Sequence, residues 1–225
     1  IDRQIEYNER IAQEGMQKEY GVSVGANLVK YYGNDVQVRA RAMAAAGSDA
    51  RMSGCLYPVV INSGSGNQGI TVSVPVIEYA KEMGVSHEKL VRALVFSNLI
   101  AIHQKTGIGR LSAYCGAVSA ACGAGAGITY LSGGSYEQIC ATITNTLANV
   151  SGMICDGAKP SCAAKIATAV DAAIMAHCLS MEAEEFQPGD GIVKDTVENT
   201  IESVCEIASQ GMNVTDAKIL EIMVR

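Results

Sequence analysis

The chain has 225 residues and a formal net charge of −6, which argues against a nucleic-acid-binding protein because few cations would neutralise phosphates. Hydrophobic residues make up 48% of the chain, enough to bury a sizeable core. We see neither a run of about 18 purely apolar residues nor a secretory signal, and we therefore expect no membrane span. Without an export signal, the eight cysteines are expected to be reduced thiols in the cytoplasm.

Hydrophobic periodicity and helix-terminal signals predict helices along most of the chain. In chain order, they are 1–20, 35–47, 70–83, 87–105, 112–131, 135–151, 162–183 and 192–210, with a last short helix from residue 215. The segment 56–61 (LYPVVI) is predicted to be a strand or an extended buried segment. With only two Phe and no Trp, the core must use small and aliphatic side chains, which favours helices in close contact. We predict an all-α fold with at most one or two short strands.

Several helix ends carry recognisable signals. Gly47 is predicted to end the second helix. Ser86 and Ser161 are predicted N-caps, and Ser135 with Gln138 matches a capping box.

Three cysteines stand out from the rest. Cys155 and Cys162 flank the loop CDGAKPSC, and Cys162 begins an Ala-rich helix, where the helix dipole favours a thiolate. Cys115 lies in an earlier Gly/Ala-rich segment where backbone can approach a ligand. Three such cysteines can hold three irons of a 4Fe–4S cluster. The spacing alone leaves core cysteines as an alternative, because it is not the spacing of zinc ribbons or ferredoxins.

The other five cysteines are expected to be small buried hydrophobes. Four of them lie inside predicted helices, and one precedes a glycine-rich loop. They are Cys122, Cys140, Cys178, Cys205 and Cys55.

A glycine-rich loop, SGSGNQG, follows the apolar segment 56–61 and precedes a helix. Its backbone amides can wrap an anion, and the helix start adds a favourable dipole. We predict a carboxylate or phosphate site formed by Ser63, Gly64, Ser65, Gly66, Asn67 and Gln68. A flexible turn is the alternative.

This loop also resembles the asparagine loop of fold-type II pyridoxal-phosphate lyases. That family alternates strands and helices and has a second glycine-rich phosphate cup, whereas this chain has neither pattern. The context of Lys30, LVKYYG, does not resemble that family's Schiff-base lysine motif. We therefore rank this interpretation third.

Three segments together resemble the iron–sulfur serine dehydratase alpha-chain family. They are PVVINSGSGNQGI, YCGAVSAACGAGAG and MICDGAKPSCAAK, and their order and rough distances agree over 35–185. The CDGAK loop, which soon reaches its second cysteine, is more similar to the L-cysteine desulfidase branch. Pro160-Ser161-Cys162 departs from the adjacent Pro-Cys of the dehydratases, which favours cysteine over serine as substrate.

The resemblance implies an oxygen-labile 4Fe–4S cluster held by Cys115, Cys155 and Cys162, with the fourth iron free to act as a Lewis acid. It implies β-elimination on a small L-amino acid: L-cysteine to pyruvate, ammonia and sulfide, with L-serine dehydration as the alternative. The glycine-rich loop would hold the α-carboxylate.

The general base is not identified by the resemblance. Asp156, Lys159 and Lys165 lie beside the cysteines and are candidates, whereas His103 and His177 lie inside helices and are expected to be structural.

The resemblance also implies which part of a longer protein this chain represents. Residues 1–225 are expected to be a single helical domain that resembles the C-terminal half of the longer desulfidases. We expect a homo-oligomer or pairing with an N-terminal half. Two alternatives stay open: a non-catalytic subunit or ligand-binding module that keeps only the fold, and a structural zinc site.

Overall fold

The computed structural model describes residues 1–109 and 111–225. These ranges contain ten α-helices and one π-helical turn, and their only β pairings are two isolated bridges. The all-α prediction is therefore confirmed. The helices are α1 (Asp2–Gln17), α2 (Val24–Tyr32), α3 (Val36–Met52), α4 (Gly66–Glu82), α5 (His87–Ile108), α6 (Gly116–Leu131), α7 (Tyr136–Val150), α8 (Cys162–Met181), α9 (Val197–Glu206) and α10 (Asn213–Met223), with the π-helical turn at Ile207–Gly211.

Helix α6 is the centre of the fold. It packs against α4, α5, α7 and α8, and all of its residues except Tyr130 are buried. Small side chains allow this close approach: a Cβ atom at Gly123 would lie 2.4 Å from the Ser97 carbonyl oxygen of α5. The Gly/Ala-rich sequence therefore serves helix packing. Around this centre, α3 contacts α1, α4 and α8, and α9 contacts α5 and α7.

Two helix predictions were wrong near the N-terminus. Helix α2 was not predicted, and α3 continues through Gly47 to Met52. A Cβ atom at Gly47 would lie 3.1 Å from Ile70 Cγ2 and 3.4 Å from Ala12 Cα. This glycine thus allows α3 to approach α1 and α4 and does not end the helix.

The segment 56–61 is irregular and not a buried strand. Leu56 is 97% exposed and Ile61 is 57% exposed, so the prediction of burial was wrong. The segment is held by side chains from elsewhere in the chain.

Two of the three predicted N-terminal helix caps are confirmed. Ser86 and the Ser135–Gln138 capping box are confirmed. Ser161 occupies the N-cap position of α8, but its backbone is αR and its side chain makes no capping bond, because capping requires the extended conformation. The predicted helix 192–210 is shorter, since α9 begins at Val197 and gives way to the π-helical turn at Ile207.

The five cysteines assigned to the core differ in burial. Cys122 is fully buried, whereas Cys55, Cys140 and Cys205 are half-buried. Cys178 is exposed, so its assignment to the core was wrong: it lies on the outer face of α8.

Helix α8 is long and apolar enough to cross a membrane by length and composition alone, although no such span was expected from the sequence. Of its most apolar window, 56% is buried, and the helix packs against α3, α6 and α7. Buried core helices of soluble proteins can have the same length and apolar composition.

Candidate functional site

The predicted anion loop is divided between a turn and a helix. Ser65 is the N-cap of α4, and its Oγ accepts the Gln68 N–H at 3.3 Å. Gly66 to Gly69 therefore form the first turn of α4. Before it, Ser63 and Gly64 have positive φ angles of 49° and 80° and are exposed.

Side chains of α1 and α5 fix the base of this turn. Asn62 Nδ2 donates to Asn98 Oδ1 at 2.9 Å, and Asn98 Nδ2 donates to Gln4 Oε1 at 2.8 Å. The Asn8 side chain bonds the backbone of Val60. These bonds argue against the flexible-turn alternative.

A cavity of about 690 Å³ lies beside the turn. It is lined by Ser63, Gly64, Ile102, Lys105, Thr106 and Gly109. Asn67 is buried, and its Oδ1 accepts from Arg51 Nη1 at 3.3 Å. A Cβ atom at Gly66 would lie 2.3 Å from Arg51 Nε. Of the six residues predicted to bind an anion, only Ser63 and Gly64 thus line this cavity.

Backbone pairing brings Cys115 and Cys155 together. The Cys115 N–H donates to the Met153 carbonyl at 3.1 Å, and the Cys155 N–H donates to the Ala113 carbonyl at 2.6 Å. The neighbouring Cys115 thiol lowers the pKa of Cys155, and Cys155 together with burial raises the pKa of Cys115. The Gly157 backbone amide and Lys165 further favour the Cys155 thiolate.

Cys162 is the first residue of α8, in the same loop region. Its sulfur accepts the Lys159 N–H at 3.4 Å and lies 3.5 Å from the Gly157 carbonyl oxygen. The predicted third ligand therefore faces the loop backbone.

Lys165, in the first turn of α8, is the common neighbour of the three cysteines. Its charge acts on the sulfurs of all three and it forms an ion pair with Asp156. Burial alone would lower the pKa of Lys165, but the hydrogen bond and charge of Asp156 raise it overall. Lys165 in turn lowers the pKa of Asp156. The pair therefore remains charged, so that Lys165 can stabilise nearby thiolates. Lys159, the third candidate base, is exposed.

Lys105 was not found by sequence reasoning. It is half-buried on α5 and lines the cavity, and the sulfurs of Cys155 and Cys115 act on its charge. Burial lowers the pKa of Lys105, and the two sulfurs oppose that shift. In sequence it is the last residue of the predicted helix 87–105, and only the packing of α5 gives it this position.

The glycine-rich turn and the cysteines belong to one region. A Cβ atom at Gly116 would lie 2.4 Å from Gln68 Nε2, so the starts of α4 and α6 touch directly beside Cys115. Lys165 joins the start of α8 to the same group. Three helix N-termini thus lie together.

The fit of a metal cofactor depends on the donors. Within residues 1–109 and 111–225, no group of three His, Cys, Asp or Glu side chains is arranged as a preformed metal site. Backbone pairing nevertheless places Cys115 beside Cys155, and Cys162 lies in the same loop region as Cys155. Three thiols of this kind are the donors that iron–sulfur clusters use. The donor set fits a cluster in chemical type.

Neither of the two histidines named above lines the cavity, and each has a partner elsewhere in the chain. His103 Nε2 lies 2.7 Å from Glu198 Oε2 at the surface. His177 is buried, with Nδ1 2.9 Å from Thr129 Oγ1, and its ring packs edge-on against Tyr79.

Comparison with known proteins defines the class of this all-helical chain. The family model described as serine dehydratase alpha chain matches residues 1–221, and the chain belongs to that family. It is 65% identical to a UPF0597 protein of Lachnoclostridium phytofermentans, over 99% of this chain and 54% of the relative.

Two further relatives match with similar identity and coverage. A UPF0597 protein of Desulfitobacterium hafniense is 60% identical over 99% of this chain and 52% of the relative. One from Treponema denticola is 57% identical over 100% of this chain and 53% of the relative. The chain spans about half the length of these relatives.

Proposed function

We propose that this chain carries the cofactor site of an iron–sulfur lyase that performs β-elimination on a small L-amino acid. The observations that support this most are the backbone pairing that places Cys115 beside Cys155 and the cavity that Ser63, Gly64 and Lys105 line. Membership of the serine dehydratase alpha chain family agrees with a lyase.

Cys115, Cys155 and Cys162 would hold a 4Fe–4S cluster, which, when bound, supplies a Lewis-acidic iron for the β-substituent. Lys165 would stabilise the thiolates through its charge, and Asp156 keeps Lys165 protonated. Metal ligation requires thiolates, so this arrangement favours the ligating form.

The remaining steps need a carboxylate site and a base. The exposed turn at Ser63 and Gly64 would bind the α-carboxylate through backbone amides. Asp156, Lys159 and Lys165 are the base candidates; the Asp156–Lys165 ion pair favours an electrostatic role for those two. Loss of the Cα proton and the β-substituent yields an aminoacrylate, which water converts to pyruvate and ammonia.

We propose L-cysteine as the substrate, with sulfide as the leaving group. The short Cys155–Cys162 loop supports this, and a sulfur substituent suits iron held by soft ligands. L-serine is the second candidate, because the matching family model is described as a serine dehydratase chain.

We further propose that the chain acts in the cytoplasm together with a second part of the enzyme, as a homo-oligomer or with the region that the longer relatives contain. The coverage of about half of each relative supports this pairing. Ile61 and Leu111, two residues from the cavity-lining Ser63 and Gly109, are exposed at 57% and 90%, as expected for a surface that another polypeptide covers.

The test is an anaerobic assay of the cluster-loaded full-length protein with L-cysteine and with L-serine, measuring sulfide and pyruvate. We expect sulfide and pyruvate from L-cysteine, lost in Cys155→Ala and kept in the exposed-cysteine control Cys178→Ala. Pyruvate from L-serine alone would make the protein a serine dehydratase. No product from either amino acid would favour the non-catalytic subunit.

A further inference from the structure

Among the residues that the structure describes, Lys105 is the charged side chain lining the cavity beside the glycine-rich turn. The other described lining residues are two glycines, a serine, a threonine and an isoleucine. The hydroxyl of Thr106 donates to the Ile102 carbonyl at 2.8 Å, and that of Ser63 donates to Asn62 Oδ1 at 2.8 Å. Lys105 therefore supplies the positive charge of the described cavity wall.

The ammonium group of Lys105 has no carboxylate partner in the described structure. The ionisable groups that act on it are the thiols of Cys155 and Cys115. A half-buried ammonium without a counter-ion is costly, and a bound anion would remove that cost. A small carboxylate fits a cavity of about 690 Å³ that Ser63, Gly64 and Lys105 line.

We propose that Lys105 binds the α-carboxylate of a small amino acid, together with the backbone of Ser63 and Gly64. This inference rests on the proposed function for the identity of the ligand. The sulfurs of Cys155 and Cys115 act on the charge of Lys105, so we expect the β-substituent of a molecule held there to point toward the cysteines. Lys105 is thus a substrate-binding residue that determines specificity for a carboxylate.

The experiment measures binding of L-alanine, which has no leaving group at Cβ, and of L-alaninol, which lacks the carboxylate. The full-length protein is compared with Lys105→Gln, Lys105→Arg and the control Lys89→Gln from the first turn of the same helix. We expect L-alanine to bind and L-alaninol not to bind. Lys105→Gln should weaken L-alanine binding at least about tenfold, Lys105→Arg should restore most of it, and Lys89→Gln should leave it unchanged.

Kinetics and metal content separate this role from others. The KM for L-cysteine should rise at least about tenfold in Lys105→Gln with little change in kcat, since the carboxylate is held equally in ground and transition states. Iron content should match the wild type. Iron loss in Lys105→Gln would instead make Lys105 a counter-charge for the cysteines and overturn the proposal.

The two proposals can fail separately. Elimination with an unchanged KM in Lys105→Gln would overturn the role of Lys105 and leave the proposed function standing. Binding of L-alanine that depends on Lys105, without any elimination, would overturn the proposed function and leave the role of Lys105 standing. A wild-type protein that binds no L-alanine would overturn the carboxylate site.

Discussion

Asn8 forms hydrogen bonds with both backbone groups of Val60: its Oδ1 accepts the Val60 N–H at 2.8 Å, and its Nδ2 donates to the Val60 carbonyl at 3.1 Å. The same amide donates to the Gly69 carbonyl at 3.0 Å. Asn8 is completely buried. One side chain of α1 therefore joins the segment before the glycine-rich turn to the helix that follows it.

Replacing Asn8 by Ala should lower the free energy of unfolding by about 1–3 kcal/mol, because the Val60 and Gly69 backbone groups lose buried partners. Urea unfolding measures this, with the exposed Asn149→Ala on α7 as control. Equal stability of the two variants would show that water replaces the lost bonds. We also expect L-alanine to bind more weakly to Asn8→Ala but not to Asn149→Ala, since only the first substitution removes the support of the turn.

Gly69→Ala should be more disruptive than an ordinary glycine substitution. A Cβ atom there would lie 2.0 Å from the Val60 carbonyl oxygen, so α4 and the segment before the turn must separate. Overpacking of this kind costs about 1–3 kcal/mol or more. Gly152→Ala is the matched control, because its Cβ meets nothing within 4 Å. Thermal unfolding of both variants is the measurement, and a Gly69→Ala protein as stable as the control would refute the close contact.

Stability should fall at mildly acidic pH because of His177. Burial lowers the pKa of His177 below its ordinary value of about 6.5. As the pH falls through about 6.5, the unfolded chain takes up a proton that the folded chain does not, so the free energy of unfolding decreases. This contribution is fully present above that pH.

Urea midpoints at about pH 7.5 and about pH 5.5 measure this dependence. In His177→Gln the difference between the two midpoints should shrink, whereas the exposed His87→Gln should keep the wild-type difference. A wild-type dependence in His177→Gln would assign the effect to other groups.

Helix positions were largely predictable because they depend on local signals. The Ser86 N-cap and the Ser135–Gln138 capping box are local signals, and both were recognised. Gly47 was wrongly predicted to end a helix. A glycine stands there because Ala12 and Ile70, which are distant in sequence, pack closely against it.

The site was predictable in kind but not in detail. Glycine-rich and cysteine-containing motifs identified the turn and the cysteine region. Three details depend on tertiary packing: Ser63 and Gly64 alone of the six loop residues line the cavity, Lys105 lines it as well, and Cys162 faces the loop backbone. The exposure of Cys178 likewise depends on which face of α8 packs inward.

Cys115, Cys155 and Cys162 are the residues that we propose to hold an iron–sulfur cluster. The most direct measurement is an iron and acid-labile sulfide count after anaerobic reconstitution of this chain, Cys155→Ala and Cys178→Ala. We expect about four irons per chain in the wild type and in Cys178→Ala, with broad visible absorption, and a large loss of iron in Cys155→Ala. No iron in any of the three proteins, or equal iron in all of them, would contradict it.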